Sequence, residues 1–251
     1  MVIGDQARKE ASMEKVSIIG LDLAKNSIQL HAADGNGAVL VRKKLPRNKV
    51  LPYLTALDPC IVAMEACASA HYWGREIEKL GHQVRLIAPI YVKPFVKRQK
   101  NDAADAEAIC EAALRPTMRF VAVKSEAKQA SAMIFKVRDL LIRQKTQMIN
   151  ALRGHMMEFG ILAATGPAYV QGLIERLEDP TSDLPDVARL TCRPLTGILK
   201  ALKEQIKLID LEIARRAKTD DVAKRLMTIP GIGPVIATAI EALAPPHDSF
   251  D

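Results

Sequence analysis

Four carboxylates stand out by type and spacing. Asp22 sits in the apolar run IIGLDLAKN, Glu65 closes the run CIVAME, and Asp102 and Asp105 lie in RQKNDAADAEAI. Aspartate is depleted in strands, and burying its charge is costly without a partner or a metal. Asp22, flanked by Ile19, Leu21 and Leu23, is therefore the most anomalous acid in the chain. Glu65 falls where a side chain projects beyond the end of a strand. Asp102 and Asp105, at i and i+3, share one helix face. Singly, three of these have ordinary explanations: a surface acid at a strand end for Glu65, and N-cap or first-turn acids for Asp102 and Asp105, favoured by the positive end of the helix dipole. Four converging carboxylates would repel one another strongly, and divalent cations offset that repulsion. They converge if the strand of Glu65 lies beside that of Asp22 and the helix beginning near Asp102 crosses their ends. Hard oxygen donors without nearby Cys or His select Mg2+ or Mn2+, and paired ions of this kind activate a water or hydroxyl and stabilise the leaving oxygen at a phosphodiester.

Cations gather around the same segments. The chain carries 36 Lys and Arg against 29 Asp and Glu, a net charge of +7. Clustering says more than the total: RKK at 42–44 and KPFVKRQK at 93–100 mark a phosphate-facing edge beside an acidic centre. Lys93, Lys97, Arg98 and Lys100 form its approach, and Lys25, close to Asp22, suits either a phosphate or a plain salt bridge. Glu107, two residues beyond Asp105, points to another face of the helix and drops out of the cluster.

The elements that must position these residues can be read from hydrophobic periodicity. From Val16 three β-rich runs separated by turn residues, Asp34-Gly35-Asn36-Gly37 among them, give hairpins. CIVAME is a further strand after Pro59, HYWGREIEKLG a helix closing on Gly81, and QVRLIA a strand stopped at Pro89. Hairpins followed by alternating strands and helices imply a mixed α/β sheet covered by helices. After about Ser125 the pattern becomes helical. Met133, Val137, Leu140, Leu141, Met148, Leu152, Met156 and Phe159 mark one long stripe to about Gly160, and Leu195, Leu199, Leu202, Ile206, Ile209 and Ile213 mark a second. The two stripes pack as an antiparallel pair or meet partner helices. LEDPTSDLP at 177–185 is a turn-rich connection. Near the end, Pro230-Gly231-Ile232-Gly233-Pro234 separates two short helical patterns; Gly231 and Gly233 leave backbone N–H groups free to grip a phosphate, or simply let two helices pack closely. The expected organisation is a flexible tail over 1–14, an α/β domain over 15–124, a long-helix region over 125–218, and a final segment over 219–251.

Composition narrows the class. Apolar residues make up 49% of the chain, ordinary for a globular protein. Cys60, Cys67, Cys110 and Cys192 form no CxxC pair, which argues against a zinc knuckle or a disulfide framework, and His31, His71, His82, His155 and His247 have no metal-ligand spacing. His71, Tyr72 and Trp73 follow Glu65 and either border the site or pack a helix. No secretory signal or bilayer-length apolar run is present, so a cytoplasmic location, on the nucleoid when bound, is expected.

The order D…E…D-x-x-D after a hairpin start resembles a ribonuclease H-like, RuvC-type catalytic domain. More closely, the chain resembles the DEDD transposases of the bacterial insertion-sequence one-ten family, bridge-RNA-guided DNA recombinases. The matching segments are IIGLDLAKNSIQLHA, VAMEACASAHYWGREIEKLGHQVRLIAP, YVKPFVKRQKNDAADAEAI, RDLLIRQKTQMINALRGHMMEFG and LMTIPGIGPVIATAI. The resemblance implies that Asp22, Glu65, Asp102 and Asp105 are a catalytic, Mg2+- or Mn2+-binding tetrad, that DNA and a structured guide RNA are the partners, that the protein assembles as a homo-oligomer on nucleic acid, and that the glycine turn is part of a helix-hairpin-helix motif. In that family the chain continues past this turn to a serine that forms a covalent link to DNA. Ser249 lacks the expected glycine-rich neighbourhood and is not assigned that role, so a truncated C-terminal domain is expected. A nucleic-acid-binding or assembly fragment without catalysis is the main alternative. An actin-like ATPase or sugar kinase also opens on a strand, an Asp and a hairpin, but requires glycine-rich phosphate loops that this chain lacks.

Overall fold

A computed structural model describes residues 16–96, 102–164 and 166–245, with the side chains of Asp102, Ala103 and Pro167 outside the description. The expected tail and Ser249 lie outside the described residues. The chain divides into two compact units, one reaching Glu126 and the other spanning Ala127–Ala244.

The first unit is built on a six-stranded mixed sheet in the order β3-β2-β1-β4-β5-β6, with β1 at Ile18–Leu23, β2 at Ser27–Ala33, β3 at Val39–Pro46, β4 at Ile61–Glu65, β5 at Gln83–Ile87 and β6 at Phe120–Val121. β1, β2 and β3 pair antiparallel through hairpins, whereas β4 joins β1, and β5 joins β4, in parallel. This is the mixed α/β sheet with flanking helices of a ribonuclease H-like fold, followed by a helical region.

Side-chain alternation along the strands makes two apolar layers. On one face Ile19, Leu21, Ile28, Leu30, Val62, Met64 and Leu86 are buried with Val50 and Leu54 of α1 (Arg47–Thr55) and with Trp73 and Ile77 of α2 (Ala70–Glu78). On the other, Ile18, Ala63 and Ile87 meet Ala108, Ile109 and Ala112 of α4 (Asp102–Ala113), which follows the single turn α3 (Pro89–Val92). Fully burying each such Ile or Leu contributes about 1.5–3 kcal/mol. Beneath the first layer, buried His82 is held at both ring nitrogens: Cys60 N–H donates to Nδ1 at 3.1 Å, which leaves Nε2–H to donate to the Leu54 carbonyl at 3.1 Å.

The second unit is helical: α5 at Glu126–Met157, α6 at Val170–Glu178, α7 at Asp186–Thr219, α8 at Asp221–Leu226 and α9 at Pro234–Leu243. The two long helices run antiparallel, as Arg138 pairs with Asp210 at 2.6 Å and Arg216 donates to the Ser131 hydroxyl at 3.1 Å. Their far ends share a core of Ile149, Leu152, Met156, Cys192 and Leu199 with Leu173 and Leu177 of α6. Buried Arg189 fastens the 177–185 connection by donating to the carbonyls of Leu177 and Asp179, both at 2.6 Å, and of Ser182 and Leu184.

Several local readings differ from the sequence expectation. The stripe on α5 packs only in its second half, since Met133, Val137 and Leu140 are exposed. α7 starts well before Leu195, running through Pro194; α1, a single short helix with an internal Pro52, carries no strong sequence signal, and α6 lies outside the expected elements although Val170, Leu173 and Leu177 recur at helical spacing.

Candidate functional site

The four acids are positioned by two strand ends and one helix start. Parallel pairing aligns Leu21 with Met64, so the next residues, Asp22 near the end of β1 and Glu65 at the end of β4, fall at the same level. Pleat alternation places Asp22 with Gly20, and Glu65 with Ala63, on the face covered by α4. Both acids are half-buried.

Gly20 explains how the helix gets there. A Cβ built on it would overlap the Ala106 carbonyl oxygen and come within 2.9 Å of the Cys110 nitrogen, so α4 crosses β1 in backbone contact at this point. The helix ends toward the start of β1, because Leu114 reaches Gly37 in the β2–β3 turn, beside the end where Ala33 pairs with Ile18. Its first turn therefore lies toward Asp22. Measured from the Gly20 crossing, Asp22 is about 6.6 Å along the strand, while Asp105 and Asp102 are roughly 4.5 and 9 Å along the helix from its midpoint, Ala108. Asp105 is half-buried, and Asp102 contributes the first backbone residue of the helix. Among the described residues no group of three or more His, Cys, Asp and Glu side chains is arranged to hold a metal. Asp22, Glu65 and Asp105 thus do not form a complete cage by themselves, although in chemistry they are the hard-oxygen donors that a magnesium-class cation takes.

The surroundings of Glu65 are tightly folded. The Cys67 N–H donates to the Glu65 carbonyl at 2.8 Å, and Ser69, at φ 74°, adopts a left-handed conformation before α2 begins. The Cys67 thiol is pushed above its ordinary range, chiefly by burial and then by the negative charge of Glu65, with a smaller contribution from Asp22 that Arg47 partly offsets. Arg47 donates to the Ala24 carbonyl at 2.8 Å and stacks its guanidinium 5.1 Å from the centre of the Trp73 ring, bracing the turn after Asp22. Gly20 and Arg47 are the supporting residues that sequence reasoning did not single out. A glycine inside a strand does signal close backbone approach; nothing local in RNKVLPYLT marks Arg47.

Other expected residues separate from this centre. Glu107 pairs with Arg42 of β3 at 2.9 Å, so it is engaged elsewhere, as its spacing implied. Trp73 belongs to the core, and His71 Nδ1 accepts from the Lys124 N–H at 3.2 Å. Lys25 is exposed in the β1–β2 turn and Lys93 is exposed in a 3₁₀ turn after α3, whereas Lys97, Arg98 and Lys100 lie outside the described residues. In the second unit Gly231 has φ +87°, and Gly233 precedes α9 with Pro234 as the first helical residue. A Cβ at either glycine would meet nothing within 4 Å, so close helix packing does not require them; the left-handed turn requires Gly231.

Comparison with known proteins agrees with this fold. Residues 19–161 match the IS110-type DEDD family model described as Transposase. The chain is 42% identical over 244 residues to a putative transposase of Sinorhizobium fredii, covering 97% of this chain and 62% of that protein. It is 45% identical over 231 residues to a probable family 20 transposase of Pseudomonas aeruginosa, covering 91% and 68% respectively. Against a transposase for insertion sequence element IS1328 of Yersinia enterocolitica it is 43% identical over 229 residues, again covering 91% and 68%. The chain therefore spans roughly two thirds of the length of these relatives. Over that span, it belongs to the IS110 family of DEDD transposases.

Proposed function

We propose that Asp22, Glu65, Asp102 and Asp105 form the carboxylate centre of a recombinase that binds Mg2+ or Mn2+ and cuts and exchanges DNA strands during transposition of an insertion sequence. One observation carries this reading: Asp22, near the end of β1, and Glu65, at the end of β4, lie on adjacent parallel strands, on the face where α4, which starts at Asp102, crosses at Gly20. When bound, the cations would supply activation of a water or hydroxyl and charge stabilisation at the phosphodiester. The protein's own contribution is orientation. The sheet fixes two carboxylates at one level, and the backbone contact at Gly20 sets the depth of the helix bearing the other two.

Lys25, Lys93, Lys97, Arg98 and Lys100 then provide the phosphate approach. Gly231 and Gly233, between α8 and α9, serve as a helix-hairpin-helix contact in a C-terminal segment starting near residue 219, beyond the long helices of 125–218. A structured guide RNA and assembly of several copies on nucleic acid complete the proposal. Exposed Met133, Val137 and Leu140 on α5 supply apolar surface for such assembly.

The experiment incubates the chain with branched and linear DNA, with and without the element's RNA, in Mg2+ or Mn2+. Metal-dependent binding or cleavage lost in Asp22→Asn and Asp105→Asn supports the centre. Activity indifferent to metal and to both substitutions removes it.

A further inference from the structure

The register of the first unit extends the carboxylate row to the edge of the sheet. Asp22 pairs with Gln29 of β2, and Gln29 pairs with Lys44 of β3. Glu65, Asp22, Gln29 and Lys44 therefore stand in one line across four strands. The faces are fixed independently. Arg42, two residues before Lys44, reaches Glu107 of α4, so the even-numbered residues of this part of β3 share the face of Asp22. Lys43 turns to the opposite face, its ammonium 4.9 Å from the centre of the Tyr53 ring.

Among the described residues, neither Gln29 nor Lys44 is consumed by the fold. Arg42 is neutralised by Glu107 and Lys43 rests on an aromatic ring, whereas exposed Lys44 makes no ion pair with a described residue. Gln29 is half-buried, its carboxamide makes no hydrogen bond with a described residue, and neither of its polar atoms is a fully buried unpaired one, so solvent or a ligand reaches it. Two antiparallel strand spacings put the Lys44 backbone about 10 Å from that of Asp22. A phosphodiester strand with one phosphate at the carboxylates would bring a neighbouring phosphate within reach of the Lys44 side chain.

We propose that Gln29 and Lys44 form a DNA-strand track leading from the carboxylate centre across β2 to the β3 edge, with Lys44 contacting a backbone phosphate and Gln29 donating from its carboxamide to the sugar–phosphate chain between. The inference rests on the carboxylate reading of Asp22 and Glu65. It assigns different work to two lysines adjacent in sequence, and charge alone cannot make that distinction.

The test measures binding of a single-stranded DNA oligonucleotide, and of an RNA of the same sequence, to the intact chain across a salt series, in EDTA and in Mg2+, for the wild type, Lys44→Ala, Lys43→Ala and Gln29→Ala. One phosphate contact accounts for a slope change of about 0.7 in log affinity against log salt. Lys44→Ala is expected to show that change, equivalent to roughly fivefold weaker binding at 0.1 M salt, while Lys43→Ala leaves the slope unaltered. Gln29→Ala weakens binding without changing the slope, because a neutral donor displaces no counterion. Equal effects of Lys44→Ala and Lys43→Ala overturn the track, as does a Lys44→Ala defect confined to RNA of the same sequence. Failure of the carboxylate reading is distinguishable: Mg2+ would then leave wild-type affinity unchanged whatever the lysines do.

Discussion

At the scale of single residues, the proposed centre depends on the Cβ that Gly20 lacks. Because Gly20 has no side chain, the Ala106 carbonyl occupies the space a methyl would need. Gly20→Ala is expected to displace α4 and destabilise the first unit by about 3 kcal/mol or more, as overpacking against rigid backbone does; a denaturant midpoint matching wild type would show that the helix yields freely. The buried thiols give a second prediction. Burial pushes Cys60 up to about 11 and Cys110 up to about 12, from an ordinary value near 9. With the folded values raised, the native state holds these protons longer than the unfolded chain. Their contribution to stability is intact below pH 9 and is lost as pH rises toward 11–12. Chemical denaturation between pH 8 and pH 11 should show falling stability, and Cys60→Ala with Cys110→Ala should flatten that fall even if both lower the plateau. The anomalous Asp22 was legible in the sequence because nothing in an apolar strand excuses a carboxylate. Arg47 was not, because its importance comes from Ala24 and Trp73, residues distant in sequence.

At the scale of elements, strands and long helices were the readable part. The alternation of SIQLHAA and the turn at Asp34–Gly37 fix β2 and its hairpin locally, and the Asp34 side chain accepts from the Asn36 and Ala38 N–H groups to hold it. α7 was legible only in part, since Pro194 interrupts the helical pattern. Its ring removes one backbone hydrogen bond to the Leu190 carbonyl in the turn before it. Pro194→Ala is therefore expected to stabilise the second unit, by up to about 3 kcal/mol, read as a higher melting temperature; a lower one would mean that the fixed backbone of the proline is needed there. Arg189 gives the opposite case. Its guanidinium satisfies carbonyls of a turn-rich connection, so Arg189→Ala should cost about 3 kcal/mol or more, charged hydrogen bonds being worth roughly 1.5–3 kcal/mol each. Arg189→Lys should restore little, since an ammonium cannot span the same fork of acceptors.

At the scale of the whole molecule, charge and length set what the chain can be asked to do. A net charge of +7 favours polyanion binding without specifying a sequence, and the chain spans about two thirds of its transposase relatives. The carboxylate centre is the part of the proposed activity that this span can be tested for directly. The sequence orders the acids and makes their convergence conditional on the strand of Glu65 lying beside that of Asp22; that β4 pairs with β1 while β2 and β3 take the other flank comes from the fold. Parallel pairing across that junction turns residues far apart in sequence into neighbours. The decisive measurement is a Mn2+ titration followed by electron paramagnetic resonance on the intact chain and on Asp22→Asn, Glu65→Gln, Asp102→Asn and Asp105→Asn, each checked for folding by circular dichroism. A bound Mn2+ population present in the wild type and lost in every folded variant is the predicted result; binding that survives all four substitutions unchanged would contradict the carboxylate centre.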